Sequence, residues 1–253
     1  MADNNWKIKL AIGLIIASAL MYTGAYFGLN EPDKVIFYIV IDLAFIPLDI
    51  LIVVLVMESI IEKKEKEALL EKLDMILGVF FSEIGNKLLA EFSAINTQSY
   101  EIIDRIKEID HWNDSEFKYA YKYLKENGIT FSPDIPYQER DVYIIRLRET
   151  LREKRMFLID LLENPNMMEK TSFSNLLLSL FHLDDELELR TDLDKVSEKD
   201  FEHLIGDMDR VYCRLTYEWI KYLEFLNEHY PYMSSLIKRT NPFDPEKEVY
   251  VND

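Results

Sequence analysis

Two apolar runs open the chain, and helical periods follow. Leu10–Gly28 is apolar and is preceded by Lys7 and Lys9. Val35–Met57 reads VIFYIVIDLAFIPLDILIVVLVM, 23 residues that are almost all apolar. At about 1.5 Å per residue either run is long enough to cross a hydrocarbon core of ~30 Å. The link between them, Leu29-Asn30-Glu31-Pro32-Asp33-Lys34, is short and polar, so the two helices are antiparallel neighbours.

From Glu58 to about Ile95 the pattern predicts one long helix. Lys63–Lys72 is charged, with Leu69, Leu70 and Leu73 at helical spacing, and no proline occurs until Pro133. Met75–Phe81 (MILGVFF) is apolar all round and too short to span, so it must be covered: the expectation is a docked helix of the same or another subunit, the alternative an interfacial membrane segment. Gly78 and Gly85 share a face and allow a close crossing. Amphipathic helices follow at Tyr100–Asp110 and Glu116–Glu126. Ser115 is the expected N-cap of the second, and Asn127-Gly128 its stop. Ile129–Pro136 is a loop. Helices are then expected at Tyr137–Glu163 and Thr171–Arg190. Phe173, Leu176, Leu177, Leu180 and Phe181 form the buried face of the latter. Ser197 caps Glu198–Glu228, whose core face runs from Phe201 and Leu204 through Trp219 to Leu223. A short helix, Tyr232–Arg239, precedes a polar end.

The expected fold is all-α. A transmembrane helical hairpin occupies residues 1–57, with helices at about 10–28 and 35–57. A helical stalk covers 58–97, a cytoplasmic helical domain 98–239, and a polar tail 240–253.

Two aspartates change the picture of the second apolar run. Asp42 and Asp49 are seven residues apart, near two helical turns, and so lie on one face together with Tyr38. Each costs roughly 2.5–3.5 kcal/mol near the centre of a membrane helix. Such residues face a bundle interior or a wet cavity. Pro47 lies between them and removes one backbone donor. In an antiparallel hairpin Ser18 comes to the depth of Asp49 and Tyr22 to that of Asp42. Two readings stand: an oligomer whose carboxylates line an ion or proton path, or neutral aspartates that bond the hairpin together. On the first helix Gly13, Ala17, Gly24 and Gly28 cluster on another face, and Gly24–Gly28 matches the GxxxG spacing of close helix packing. Self-association is expected through that stripe.

Lysine counts set the topology. Lys7 and Lys9 precede the first helix, and Lys63, Lys64 and Lys66 follow the second, so both termini belong in the cytoplasm of a multi-pass cell-membrane protein. The single cysteine, Cys213, excludes an intrachain disulfide and agrees with a reducing compartment. The formal net charge is -17, from 29 basic and 46 acidic residues. The hairpin holds three Lys against five acids, so almost all of the negative charge lies beyond it. That excludes sequence-independent nucleic-acid binding, which rests on phosphate neutralisation. It suits a protein partner of the cytoplasmic bundle.

Against this acidity one basic stripe stands out. Arg148, Arg152 and Arg155, at i, i+4 and i+7, could receive a phosphate or an acidic partner, or pair with internal carboxylates. His182, Asp184, Asp185, Glu186 and Glu188 cluster near the end of their helix. They lack the alternating ligands and central glycine of a calcium loop and the paired histidines of a zinc site, so the expectation is a solvated acidic turn with no metal. His203 and Asp207, at i and i+4, read as a surface hydrogen bond for want of a second such pair. No phosphate loop, GxSxG, HExxH or CxxC occurs. No catalytic residue and no cofactor are expected.

The layout and the stretch Tyr230-Pro231-Tyr232 through Arg239-Thr240-Asn241-Pro242-Phe243-Asp244 resemble uncharacterised prokaryotic membrane proteins with two N-terminal transmembrane helices and a helical cytoplasmic domain. That resemblance implies no activity and no site residue. The expectation is a non-enzymatic, membrane-anchored interaction or regulatory module. The alternative is an oligomeric cation or proton channel with Asp42 and Asp49 in the path.

Overall fold

A computed structural model describes residues 5–28, 32–193, 196–247 and 249–250. The link residues 29–31 and the last three residues lie outside it. The described residues form nine α-helices and no strand, with a single isolated bridge between Asn96 and Pro133. They divide into two compact units, Met1–Lys66 and Glu67–Asp253.

The first unit holds α1 (Asn5–Gly28) and the first part of α2 (Pro32–Phe80). Pro47 sits inside α2 without ending it. Most of the apolar side chains here are bare: Leu14 is 63% exposed, Leu43 65% and Phe27 77%.

The second unit is built the opposite way. Its core begins at Leu73 and Leu77 near the end of α2 and continues through Phe80 and Phe81. Within the stretch expected as a helical stalk, the residues from Glu67 onward belong to this second unit. The physical reason lies in the Met75–Phe81 run, whose rings are worth about 1.5–3 kcal/mol each when fully buried. Phe80 packs edge-on against Phe173, and Phe81 stacks on Tyr222. Met75 and Val79, half exposed, line a cleft of about 630 Å³ with Tyr232, Met233 and Leu236.

One long helix was expected to reach Ile95. Instead α2 passes through a π-helical turn, Phe81–Gly85, into α3 (Asn86–Ile95). At Gly85 an added Cβ would lie 2.6 Å from Phe81 and 2.8 Å from Phe80. At Gly78 it would lie 2.7 Å from the Tyr222 hydroxyl and 3.1 Å from its Cζ. Tyr222 cannot swing aside, because it is buried and stacked on Phe81. Gly78→Ala gains about 1 kcal/mol in helix propensity but overpacks the crossing by roughly 1–3 kcal/mol. The expected outcome is a lower thermal midpoint, partly restored by adding Tyr222→Phe. A midpoint at or above wild type would mean that the helices do not approach this closely.

The remaining helices are α4 (Glu101–Lys107), α5 (Asp114–Asn127), α6 (Arg140–Leu162), α7 (Thr171–Glu188), α8 (Glu198–His229) and α9 (Pro231–Arg239). The cap of α5 is Asn113, two residues earlier than Ser115. Asn113 accepts from the Ser115 amide at 2.9 Å, and Glu116 reaches back to the Asn113 amide at 2.7 Å. This reciprocal pair satisfies two orphan donors, which Ser115 alone could not do. Gly128 closes α5 with φ +68°, a conformation that favours glycine. Ser197 caps α8 as the sequence indicated, accepting from the Asp200 amide at 3.2 Å.

α7 packs on both α6 and α8, and α5 and α9 lie against α8. Leu176, Leu177, Leu180, Leu204, Met208, Val211, Leu215 and Trp219 are all fully buried between them. In the stretch read as a polar tail, two of the described residues pack on the bundle. Asn241 is buried and donates to the Ile106 carbonyl at 2.8 Å, and Phe243 packs edge-on against Trp219. Two side chains make the difference: an asparagine with a carbonyl to satisfy and an aromatic ring with a core site to fill.

Candidate functional site

In the first unit, the Tyr22 hydroxyl donates to the Asp42 carboxylate, joining α1 to α2. Ser18, Tyr38 and Asp49 are exposed, and Asp49 has no hydrogen bond or ion pair among the described residues. A Cβ added at Gly13, Gly24 or Gly28 would meet nothing within 4 Å, and Ala17 is likewise exposed. The structure thus brings Tyr22 and Asp42 together and leaves the small-residue stripe uncovered by the described residues.

In the second unit the basic stripe of α6 turns inward. Arg155 donates to Asp184 and, at 2.9 Å, to Asp185. Arg152 lies 3.7 Å from Glu188. Arg155 is thus committed to α7, while Arg152 makes only a long, exposed ion pair there. Lys154 on the same helix bonds Glu83 at 2.9 Å. Burial drives the Asp184 carboxyl above the usual carboxylate range, and the Arg155 guanidinium opposes it. The one thiol is quiet: Cys213 donates to the Ile129 carbonyl at 2.8 Å, and burial pushes its pKa up to about 12.

The acidic cluster is no turn. His182, Asp184, Asp185, Glu186 and Glu188 all lie within α7, whose last two turns alternate sides. Leu183, Asp184 and Leu187 face the core, while His182 and Glu186 share the face toward α8. There they meet His203 and Asp207. His182 Nε2 is 3.3 Å from Asp207 Oδ1, and His203 Nε2 is 3.6 Å from both Glu186 Oε2 and Asp207 Oδ2. One turn further on, Arg190 bonds Asp200 through Nε at 3.0 Å and Nη2 at 2.8 Å. The pairs 182/207, 186/203 and 190/200 run in opposite directions along the two helices, which is the register of an antiparallel hairpin.

This set is asymmetric in burial. Asp207 is 2% exposed, whereas both imidazoles are about half exposed. Arg210 Nη1 holds Asp207 Oδ1 at 2.6 Å, but Oδ2 is buried with no hydrogen-bond partner. Arg190 Nη1 holds Glu186 Oε2 at 2.7 Å, and this keeps the Glu186 carboxyl below the usual carboxylate range, with His203 and His182 adding to the effect. The same guanidinium lowers the Asp200 carboxyl.

His203 and Asp207 are not a lone surface pair. The second pair was present as His182 and Glu186, at the same i, i+4 spacing on the preceding helix. Two H-x-x-x-[DE] spacings on consecutive helices joined by a short connection were the available signal. Asp207 is also not at the surface, because Leu204, Met208 and Val211 around it carry that side of α8 into the core.

Comparison with known proteins covers both units. Residues 69–239 match the family described as uncharacterized protein MJ1433, C-terminal helical domain, and residues 2–61 match MJ1433, N-terminal helical domain. Uncharacterized protein MJ1433 of Methanocaldococcus jannaschii is 36% identical over 253 residues, covering 100% of this chain and 99% of that protein. No solved structure matches. The chain therefore belongs to the MJ1433 family, through its N-terminal and its C-terminal helical domain alike.

Proposed function

We propose that this chain is an integral membrane protein, with both termini cytoplasmic, whose acidic helical bundle works by binding a protein partner rather than by catalysis. The observation that carries the reading is the contrast in burial between the two units. The bundle hides Leu77, Phe80, Phe92 and Trp219 completely, while the hairpin leaves Leu14, Ile15, Phe27 and Leu43 more than 60% exposed. Bare apolar surface on two helices of this length needs lipid to cover it. An alkaline carbonate wash of membranes from expressing cells tests the anchoring. The chain should stay in the pellet, and release into the supernatant would overturn it.

A second reading rests on Asp49. An aspartate at membrane depth with no partner among the described residues finds one in water or in another copy. That favours a closed oligomer with Asp42 and Asp49 toward a central path, packed through the Gly13, Ala17, Gly24 and Gly28 stripe. The mass of the detergent-solubilised protein, read by light scattering, separates the two. A monomer or dimer leaves no room for a central path. A larger closed ring calls for liposome flux with Asp42→Asn/Asp49→Asn, where the channel predicts lost conductance and the anchor predicts unchanged assembly.

A further inference from the structure

We propose that His182, Glu186 and Asp207, with His203 beside them, form a binding site for a divalent first-row transition-metal ion that clamps α7 to α8. The donor atoms of His182, Glu186 and Asp207 all lie within 4.8 Å of one another. Zinc–nitrogen and zinc–oxygen bonds of about 2.0–2.2 Å in a tetrahedron place neighbouring donors ~3.3–3.6 Å apart. The observed separations are 3.3 Å for His182–Asp207, 3.6 Å for His203–Asp207 and His203–Glu186, and 4.0 Å for His182–Glu186. The three longer ones exceed a hydrogen bond. The four separations run to both oxygens of each carboxylate, Oδ1 and Oδ2 of Asp207 and Oε1 and Oε2 of Glu186, so the four side chains converge on one spot that an ion would bridge through one oxygen of each.

The second observation is the bare oxygen. Asp207 Oδ2 is buried and has no hydrogen-bond partner. A buried carboxylate oxygen left this way costs several kcal/mol unless a cation or donor meets it. Arg210 occupies only Oδ1. Arg190 reaches Glu186 with one nitrogen while two others are spent on Asp200. Both ligand carboxylates are thus fixed by an outer guanidinium at one oxygen, the arrangement that orients metal-bound carboxylates. Two imidazoles and two carboxylates suit zinc, cobalt, manganese or iron(II) rather than calcium, which takes oxygen ligands. The half-exposed histidines give an ion a way in.

The test uses the full-length, tag-free protein in detergent, stripped with chelator and titrated with Co²⁺, read by its visible d–d absorption and by competition with Zn²⁺. Wild type should take up one equivalent. His182→Gln/His203→Gln replaces two exposed rings and should fold normally. It should weaken binding by more than ~100-fold, beyond the ~10–100-fold that outer-sphere changes cause. The control His111→Gln/His229→Gln, which alters the other two histidines, should bind as wild type does. Absence of stoichiometric binding to wild type would overturn the site. So would binding that persists in the 182/203 variant, which would assign the metal to the acidic surface at large.

Discussion

Trp219→Ala is expected to remove roughly 3–5 kcal/mol of stability, the range for a fully buried large aromatic. The indole is 0% exposed, its Nε1 donates to Asn86 Oδ1 at 3.1 Å, and its ring meets Phe243 at 5.4 Å. Truncation therefore opens a cavity, strands the Asn86 oxygen and takes away the surface on which Phe243 sits. Trp219→Phe separates these effects. It keeps a ring for Phe243 and loses only the N–H, at about 1 kcal/mol net for the hydrogen bond plus a smaller packing term. Denaturant unfolding in detergent, followed by circular dichroism, measures both. Equal losses for the two variants would place the energy in the hydrogen bond and not in the ring.

The second large effect is electrostatic. Arg155→Met should cost about 3 kcal/mol, the low end of the ~3–5 range for breaking a buried pair, because the arginine itself is 36% exposed while Asp184 is 1%. The variant leaves Asp184 with neither oxygen satisfied, since Oδ1 already lacks a partner. Its carboxyl, raised by burial even beside Arg155, rises further. The sign of the pH dependence follows. A folded-state value above the unfolded ~3.9 means that the native state holds the proton more tightly. The Asp184 contribution to the stability of Arg155→Met should therefore fall as pH rises from about 4 through the folded-state value, so the gap from wild type is widest at neutral pH. Arg155→Met/Asp184→Leu should recover most of the loss, because two well-packed apolar side chains replace a charge pair without an orphan. A single Arg155→Met variant that is as stable as wild type at pH 7 would show that Asp184 does not depend on this partner.

The elements of this fold were legible because each is written locally. The core faces of α7 and α8 follow from the spacing of Phe173, Leu176, Leu177 and Leu180, and of Leu204, Met208, Val211, Leu215 and Trp219. Ser197 and Gly128 mark helix ends through their own chemistry. What sequence did not reveal depends on which of several possible partners, near or far along the chain, each residue takes. Asn113 outranks Ser115 as a cap only because Glu116 answers it. The π-helical turn at Phe81–Gly85 fits rings around Gly85 that no short pattern announces. The four-residue set at 182, 186, 203 and 207 exists because α7 and α8 meet in one particular register. Asp184 and Asp207 read as surface acids until the leucines beside them carry them inward.

The docking of Asn241 on Ile106 also bears on the order in which the bundle assembles. That hydrogen bond joins positions 135 residues apart, and the Lys247–Asp110 ion pair spans 137. Closing so long a loop is entropically expensive until the intervening helices have shortened it. The α7–α8 hairpin, held by neighbours in sequence, is placed to form early. The strap of residues 240–247 over α4 is placed to close last. By the same logic α4 and this strap form one cooperative unit that opens before the rest, and their amides should exchange with solvent together while those of α8 remain protected.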